Sequence, residues 1–265
     1  MGKVITVAMH KGGVGKTSFI SNIVGAYARQ NPKKRILLID TDAQGNLARS
    51  FGKEITDFQV GISNIFLGDR NITDCIYNLF GNVDIIPATK DMAFMELKLF
   101  VERQKIDRPL AILDDVLGYV KEDYDYIFID TPPSINFIVG NALLVSDGVV
   151  IPFQPEPYGV DGLIRIVELI EWYKESIGID IKILGVLGMM VERNNVHGDY
   201  MKQARQACEQ LGLTIFDTVI PKAIRYSTTV KEERKPATMT KIKKNDTAIS
   251  YFSLLEELIE KGVFE

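Results

Sequence analysis

The sequence predicts an α/β fold: one doubly wound, mostly parallel sheet with helices on both faces, expected as a single domain over residues 1–265. Three observations predict it. Short runs rich in Val and Ile alternate with longer segments of helical period. The apolar residues of each run are nearly continuous, as strands covered on both faces require. A glycine-rich turn, His10-Lys11-Gly12-Gly13-Val14-Gly15-Lys16-Thr17, joins the first run to the first helical segment. Strand–helix alternation of this kind closes through right-handed crossovers.

Taken in order, strands are expected at 4–9, 36–39, 83–86, 126–129, 149–153, 181–190 and 213–220. Helices are expected at 18–29, 91–102, 109–119, 161–175, 197–211 and 248–261. The first helix shows why: Phe19, Ile20, Ile23, Val24 and Tyr27 share one stripe at the 3.6-residue period. No internal repeat, low-complexity tract or Gly/Pro/Ser-rich linker divides the chain, hence the single domain. The stretch 52–82 and Asp84, inside a strand, suggest no role.

Composition excludes several classes. Forty-six per cent hydrophobic and 25% charged residues rule out a disordered chain or a collagen-like fibre. The net charge of −4 rules out a surface basic all over. The charge is uneven, however. Residues 222–244 hold eight basic residues against Glu232 and Glu233, so this segment is at +6 and the remainder at −10. Two cysteines, Cys75 and Cys208, are too few for a disulfide scaffold or a four-thiolate zinc site. Both are expected as packing residues in a reducing cytoplasm. No apolar run approaches the ~18 residues of a membrane span, and the first residues read as a strand, not a signal peptide.

The glycine-rich turn carries the first chemistry. Glycines let backbone N–H groups turn inward, and the following helix adds the field of its N-terminus. Lys16 is placed to reach the β- and γ-phosphates, and the Thr17 hydroxyl to ligate Mg²⁺. The nucleotide-binding stretch is thus Lys11, Gly12, Gly13, Val14, Gly15, Lys16, Thr17 and Ser18. Lys11 adds a second cation, which favours concentrated negative charge such as a triphosphate.

Two strands end in carboxylates: 36–39 in Asp40 and then Asp42, and 126–129 in Asp130. Ligands of open parallel sheets bind beyond the carboxyl ends of strands. Asp130 is expected to hold hydrated Mg²⁺, with Asp40 supporting the metal shell. Asp42, past its strand end, is expected to orient the attacking water. The catalytic set is therefore Lys11, Lys16 and Asp42.

The motif Lys11-Gly12-Gly13-Val14-Gly15-Lys16-Thr17 is a deviant Walker A loop and resembles that of the ParA/MinD superfamily. Asp40-Thr41-Asp42-Ala43-Gln44-Gly45-Asn46, Asp130-Thr131-Pro132-Pro133-Ser134, the segment 151–163 (Ile-Pro-Phe-Gln-Pro-Glu-Pro through Gly-Leu) and the segment 219–225 (Val-Ile-Pro-Lys-Ala-Ile-Arg) resemble four further boxes of ParA/Soj-type partition ATPases. The first strand begins by residue 4, as in the small form without an N-terminal helix-turn-helix domain. The resemblance covers nearly the whole chain.

This resemblance implies a P-loop ATPase of ATP/ADP and Mg²⁺ that forms a homodimer when ATP-bound, with Lys11 crossing to the partner's nucleotide. It places Met190 and Pro221 near the adenine. It implies non-specific binding of double-stranded nucleoid DNA through the basic region. Arg225 matches the family's Arg box, and Lys222, Arg234, Lys235, Lys241, Lys243 and Lys244 join by position. A ParB-type centromere-binding partner is expected to stimulate weak hydrolysis. The chain departs from the family at His10, where Gln or Asn is usual, and at Thr228-Thr229, where Glu-Ala is usual. A membrane-bound member needs a basic amphipathic C-terminal helix, whereas 254–261 is acidic. The alternative is a ParA-like switch that positions a protein or membrane cargo.

Overall fold

Strand residues alternate in which face they bury, and this alternation builds the molecule. The structure, a computed structural model, describes residues 2–102, 108–134 and 136–264. Seven strands form one sheet: β1 (Lys3–Val7), β2 (Ile36–Asp40), β3 (Tyr77–Phe80), β4 (Val83–Ile86), β5 (Tyr126–Asp130), β6 (Gly148–Phe153) and β7 (Lys182–Gly188). Their spatial order is β3-β4-β2-β5-β1-β6-β7, all parallel except the edge strand β3. On one face, Ile5, Val7, Ile36, Leu38, Tyr126, Phe128, Val150 and Leu187 join a single buried cluster. On the other, Val4, Leu37, Ile39, Ile127 and Ile129 form a second cluster, and Val149, Ile151 and Phe153 a third.

Helices cover both faces. The first cluster takes in α1 (Lys16–Gln30) and α10 (Ile249–Glu260), with short α2 (Asn46–Ser50) beside them. The opposite face is covered by α3 (Ile62–Phe66), α4 (Met95–Glu102), α5 (Ile112–Leu117) and α6 (Phe137–Leu144), then by α7 (Gly159–Ile177) and α8 (Asn195–Gln210). Helix α9 (Arg225–Glu233) buries only Thr229 and lies on the periphery. Cys75 and Cys208 are buried free thiols, as expected. No helix among the described residues is long and apolar enough to cross a membrane.

Six of the seven expected strands are present. The seventh, 213–220, is not a ladder strand. It touches β7 through one isolated bridge, Val186 with Ile215. The reason is a tertiary contact: the Glu257 carboxylate takes the N–H groups of Asp217 and Thr218 at 2.8 and 2.9 Å. Those amides cannot then continue a ladder. The stretch 52–82 supplies α3 and β3. Asp84 accepts from Tyr124 Oη at 2.9 Å, from Asn78 Nδ2 at 2.9 Å and from Arg35 at 3.2 Å.

Candidate active site

Helix α1 begins where the glycine turn ends. Its N-cap is Gly15, with φ of 91° and no side-chain cap, and its first turn holds no acidic residue. Its φ of 91° lies in the left-handed region, so the conformation favours glycine here. The uncapped first-turn N–H groups point at the loop, and with the helix dipole they make an anion site. Lys16 is buried and donates from Nζ to the Lys11 carbonyl at 3.3 Å. Burial pulls its pKa down, while Asp130 and Asp42 nearby counter this.

Asp130 ends β5, paired in register with Asp40 on β2 and Val7 on β1. Thr17 Oγ1 donates to Asp130 Oδ2 at 2.5 Å. Asp130 Oδ1 is buried with no hydrogen-bond partner among the described residues. Burial pushes the Asp130 carboxyl up to about 7, against the Thr17 hydrogen bond and the Lys16 charge. The strand ends are clamped: Thr41 Oγ1 donates to the Asp130 carbonyl at 2.7 Å, and Thr131 Oγ1 to the Val7 carbonyl at 2.8 Å. A buried carboxylate with an orphaned oxygen, touching a hydroxyl at a phosphate loop, fits Mg²⁺. Thr17 and Asp130 would hold it, directly or through water. The ion would supply positive charge to the triphosphate.

Asp40 has backbone partners of its own. Its side chain is fully buried, and its oxygens accept the N–H groups of Asp42 and Leu47, each at 3.1 Å. Burial first, and then the Asp130 charge, raise its pKa well above the carboxylate range. Asp40 thus braces the loop that presents Asp42, beside the Asp130 carboxylate. Asp42 is half-buried, and its Oδ1 accepts from the Gln44 N–H at 2.9 Å.

A cavity of about 530 Å³ adjoins the phosphate loop, lined by Thr17, Ser18, Met190, Ala223 and Tyr226, with Arg49, Lys222 and Lys231 also on its wall. Met190 lines this cavity in a left-handed conformation at φ 54°. Pro221 bridges to Val191, and its neighbours Lys222 and Ala223 line the cavity instead. Ser18 Oγ meets Tyr251 Oη at 3.0 Å, a contact from α1 to α10 that spacing in the sequence could not reveal.

Lys11 is half-buried and its Nζ lies 2.8 Å from Glu156 Oε2. Gln154 Nε2 donates to the other oxygen, Oε1, at 2.5 Å. Gln154 and Glu156 stand in a segment singled out from the sequence, yet nothing there assigned them a contact. His10 Nδ1 is buried without a partner among the described residues.

The basic segment divides in two. Arg225 turns inward: it pairs with Asp246 at 3.0 Å and donates to Thr240 Oγ1 and the Lys241 carbonyl at 2.8 and 3.1 Å. Lys222 pairs with Glu192 at 2.6 Å. These two, expected as DNA contacts, both have carboxylate partners within the protein. Lys231, Arg234, Lys235, Lys241, Lys243 and Lys244 are exposed, with no carboxylate partner among the described residues. Thr229, at the family's departure point, is buried and bonds back to the Arg225 carbonyl at 3.1 Å.

The chain is similar to several known proteins. Residues 2–183 match the family described as an AAA domain. The sporulation initiation inhibitor protein Soj of Bacillus subtilis is 35% identical over 229 residues, covering 86% of this chain and 87% of Soj. The chromosome partitioning protein ParA of Myxococcus xanthus is 30% identical over 263 residues, covering 98% of this chain and 89% of that protein. A Borrelia burgdorferi protein assigned to plasmid partition, solved with AMPPNP, superposes with a TM-score of 0.76 at 26% identity, covering 99% of each chain. The loop at 11–17, the paired strand-end carboxylates and these similarities lead to one conclusion: the chain belongs to the ParA/Soj family of P-loop ATPases.

Proposed function

We propose that this ATPase partitions DNA. ATP with Mg²⁺ binds on the loop from Lys11 to Thr17, with the base in the adjoining cavity beside Met190. Two subunits close over two nucleotides, and Lys11 of each faces the other's triphosphate. The dimer binds double-stranded DNA without sequence preference and is nucleoid-associated in the cytoplasm. Asp42 orients water for a slow hydrolysis that a ParB-type partner accelerates, and ADP release returns monomers. The names borne by the Myxococcus and Borrelia relatives support partition as the purpose.

One observation carries the DNA assignment. Six exposed cations between Lys231 and Lys244 lack carboxylate partners among the described residues, on a chain whose net charge is −4. Such a cluster binds phosphate backbones by releasing counterions, without reading bases. The cluster is also braced on the nucleotide helix. Thr238, within this segment, donates from Oγ1 to the Asn22 carbonyl of α1 at 2.8 Å, and Arg29 of α1 donates to the Thr238 carbonyl at 3.0 Å. A few contacts per subunit bind weakly, and pairing two clusters in a dimer multiplies them through effective concentration.

The test is DNA binding by wild type and Lys11→Ala, with no nucleotide, ADP or ATP, on two unrelated duplexes at two salt concentrations. The expected result is ATP-only, salt-sensitive, sequence-independent binding that Lys11→Ala loses. Absence of binding under every nucleotide overturns the DNA assignment and favours a switch that positions a protein cargo.

A further inference from the structure

The contact between Lys11 and Glu156 has a consequence for dimer formation. The loop presenting Glu156 is tightly built. Glu156 N–H donates to the Gln154 carbonyl, and Gly159 N–H donates to the Glu156 carbonyl, each at 2.9 Å. Tyr158 takes a left-handed conformation at φ 62°, uncommon for a residue with a Cβ. A Cβ on Gly159 would lie 2.5 Å from the Gln154 carbonyl oxygen, so only glycine allows the bend. The carboxylate is then held on both oxygens, by Gln154 at 2.5 Å and by Lys11 at 2.8 Å. The nearby cation Lys222 is engaged by Glu192 at 2.6 Å. Lys11 is therefore the cation that Glu156 serves.

We propose that Glu156 is a positioning residue that holds Lys11 within its own subunit and so opposes ATP-driven dimer formation. The inference rests on the sandwich reading above, in which Lys11 must face the partner's triphosphate. An ammonium bound to a carboxylate of its own chain has to exchange that partner for the triphosphate. The exchange costs little because the pair is half-exposed: side-chain accessibilities are 31% for Lys11 and 40% for Glu156. The triphosphate, with its greater charge, wins once it is bound. Glu156 thereby raises the ATP concentration at which subunits pair, and it keeps nucleotide-free chains apart. It acts through Lys11 and does not touch the reacting atoms.

The test compares sedimentation of wild type, Glu156→Gln and Gln154→Met over a range of protein concentrations, with Mg²⁺ and a non-hydrolysable ATP analogue. Affinity for a fluorescent ADP serves as the folding control. Pairs of this exposure are worth about a factor of two to five each, and two break per dimer, so Glu156→Gln lowers the dimer Kd about four- to twenty-five-fold. Gln154→Met shifts it less, in the same direction. The gap between wild type and Glu156→Gln narrows at high salt, where the pair is screened. Tighter dimers with unchanged ADP affinity are not what structural damage produces. If wild type dimerises and Glu156→Gln is equal or weaker, the latch is overturned and the sandwich stands. If wild type never dimerises with the analogue, the sandwich reading fails and the latch with it.

Discussion

Thr17 Oγ1 donates to Asp130 Oδ2 at 2.5 Å, tying the first turn of α1 to the carboxyl end of β5. The bond spans 113 positions of sequence and places a hydroxyl and a buried carboxylate where the phosphate loop opens. The other oxygen of Asp130 has no partner among the described residues, an opening that a hydrated cation would fit.

Thr17→Val and Asp130→Asn are expected to abolish the dependence of nucleotide affinity on Mg²⁺. ATP turnover falls by about a hundredfold or more, as when a group aimed at developing charge is lost. Thr17→Ser, which keeps the hydroxyl, retains most of both. A titration of Mg²⁺ against the affinity for a fluorescent ATP analogue checks this. An unchanged Mg²⁺ dependence in both variants removes these residues from the site.

Asp42 and Asp40 are expected to fail in different ways. Asp42→Ala keeps its fold and its ATP affinity and loses about a hundredfold in hydrolysis. Asp40→Ala leaves the Asp42 and Leu47 amides without their acceptor and destabilises the protein by about 1–3 kcal/mol. Single-turnover hydrolysis and thermal unfolding of the two variants separate the roles. Equal unfolding temperatures would contradict the bracing role of Asp40.

The basic segment is expected to split between structure and DNA. Arg225→Ala loses an ion pair to Asp246, whose side chain is 3% exposed, and costs about 1–3 kcal/mol of stability. Lys243→Ala with Lys244→Ala leaves stability unchanged. For each lysine that had neutralised a DNA phosphate, the slope of log K against log salt becomes shallower by about 0.9. Thermal melts and DNA titrations at several salt concentrations give both readings. Weaker DNA affinity with no change in salt slope would argue against phosphate contacts.

Glu257 gives a pH signature far from the nucleotide. Burial alone would raise its pKa, but the N–H groups of Asp217 and Thr218 outweigh this and hold it below its ordinary 4.5. A depressed carboxyl stabilises the fold above its unfolded pKa, and that contribution disappears as pH falls through the folded value. Glu257→Gln should therefore be less stable than wild type at pH 7, by about 2 kcal/mol, and the difference should shrink as pH falls below 4.5 through the lowered folded value. A constant difference across this range would show that the carboxylate charge is not involved. The measurement is denaturant unfolding of both proteins from about pH 3 to 8.

Much of the fold was legible because hydrophobic period is local. Runs such as Ile36-Leu37-Leu38-Ile39 declare a strand buried on both faces without reference to any partner. The edge strand β3 did not declare itself, because Tyr77-Asn78-Leu79-Phe80 is only half-buried and carries no continuous apolar run. Helix α6 had a readable signal that went unused: Asn136 accepts from the N–H groups of Ile138 and Val139, as an N-cap does. The run 213–220 is apolar enough for a strand, but the Glu257 carboxylate, 40 positions from Asp217, takes the Asp217 and Thr218 amides.

The sequence by itself determined the strand–loop–helix phosphate site, the carboxylates at strand ends and the concentration of cations at 222–244. Each is a pattern of neighbours along the chain, and local chemistry suffices to state it. Tertiary structure alone decided how the charges are used. It buried Asp40 as a brace, set Asp130 against Thr17, turned Arg225 inward to Asp246 and gave Lys11 to Glu156. The physical reason is that a charge acts through what lies within a few ångströms, and folding brings together partners 7 to 145 positions apart.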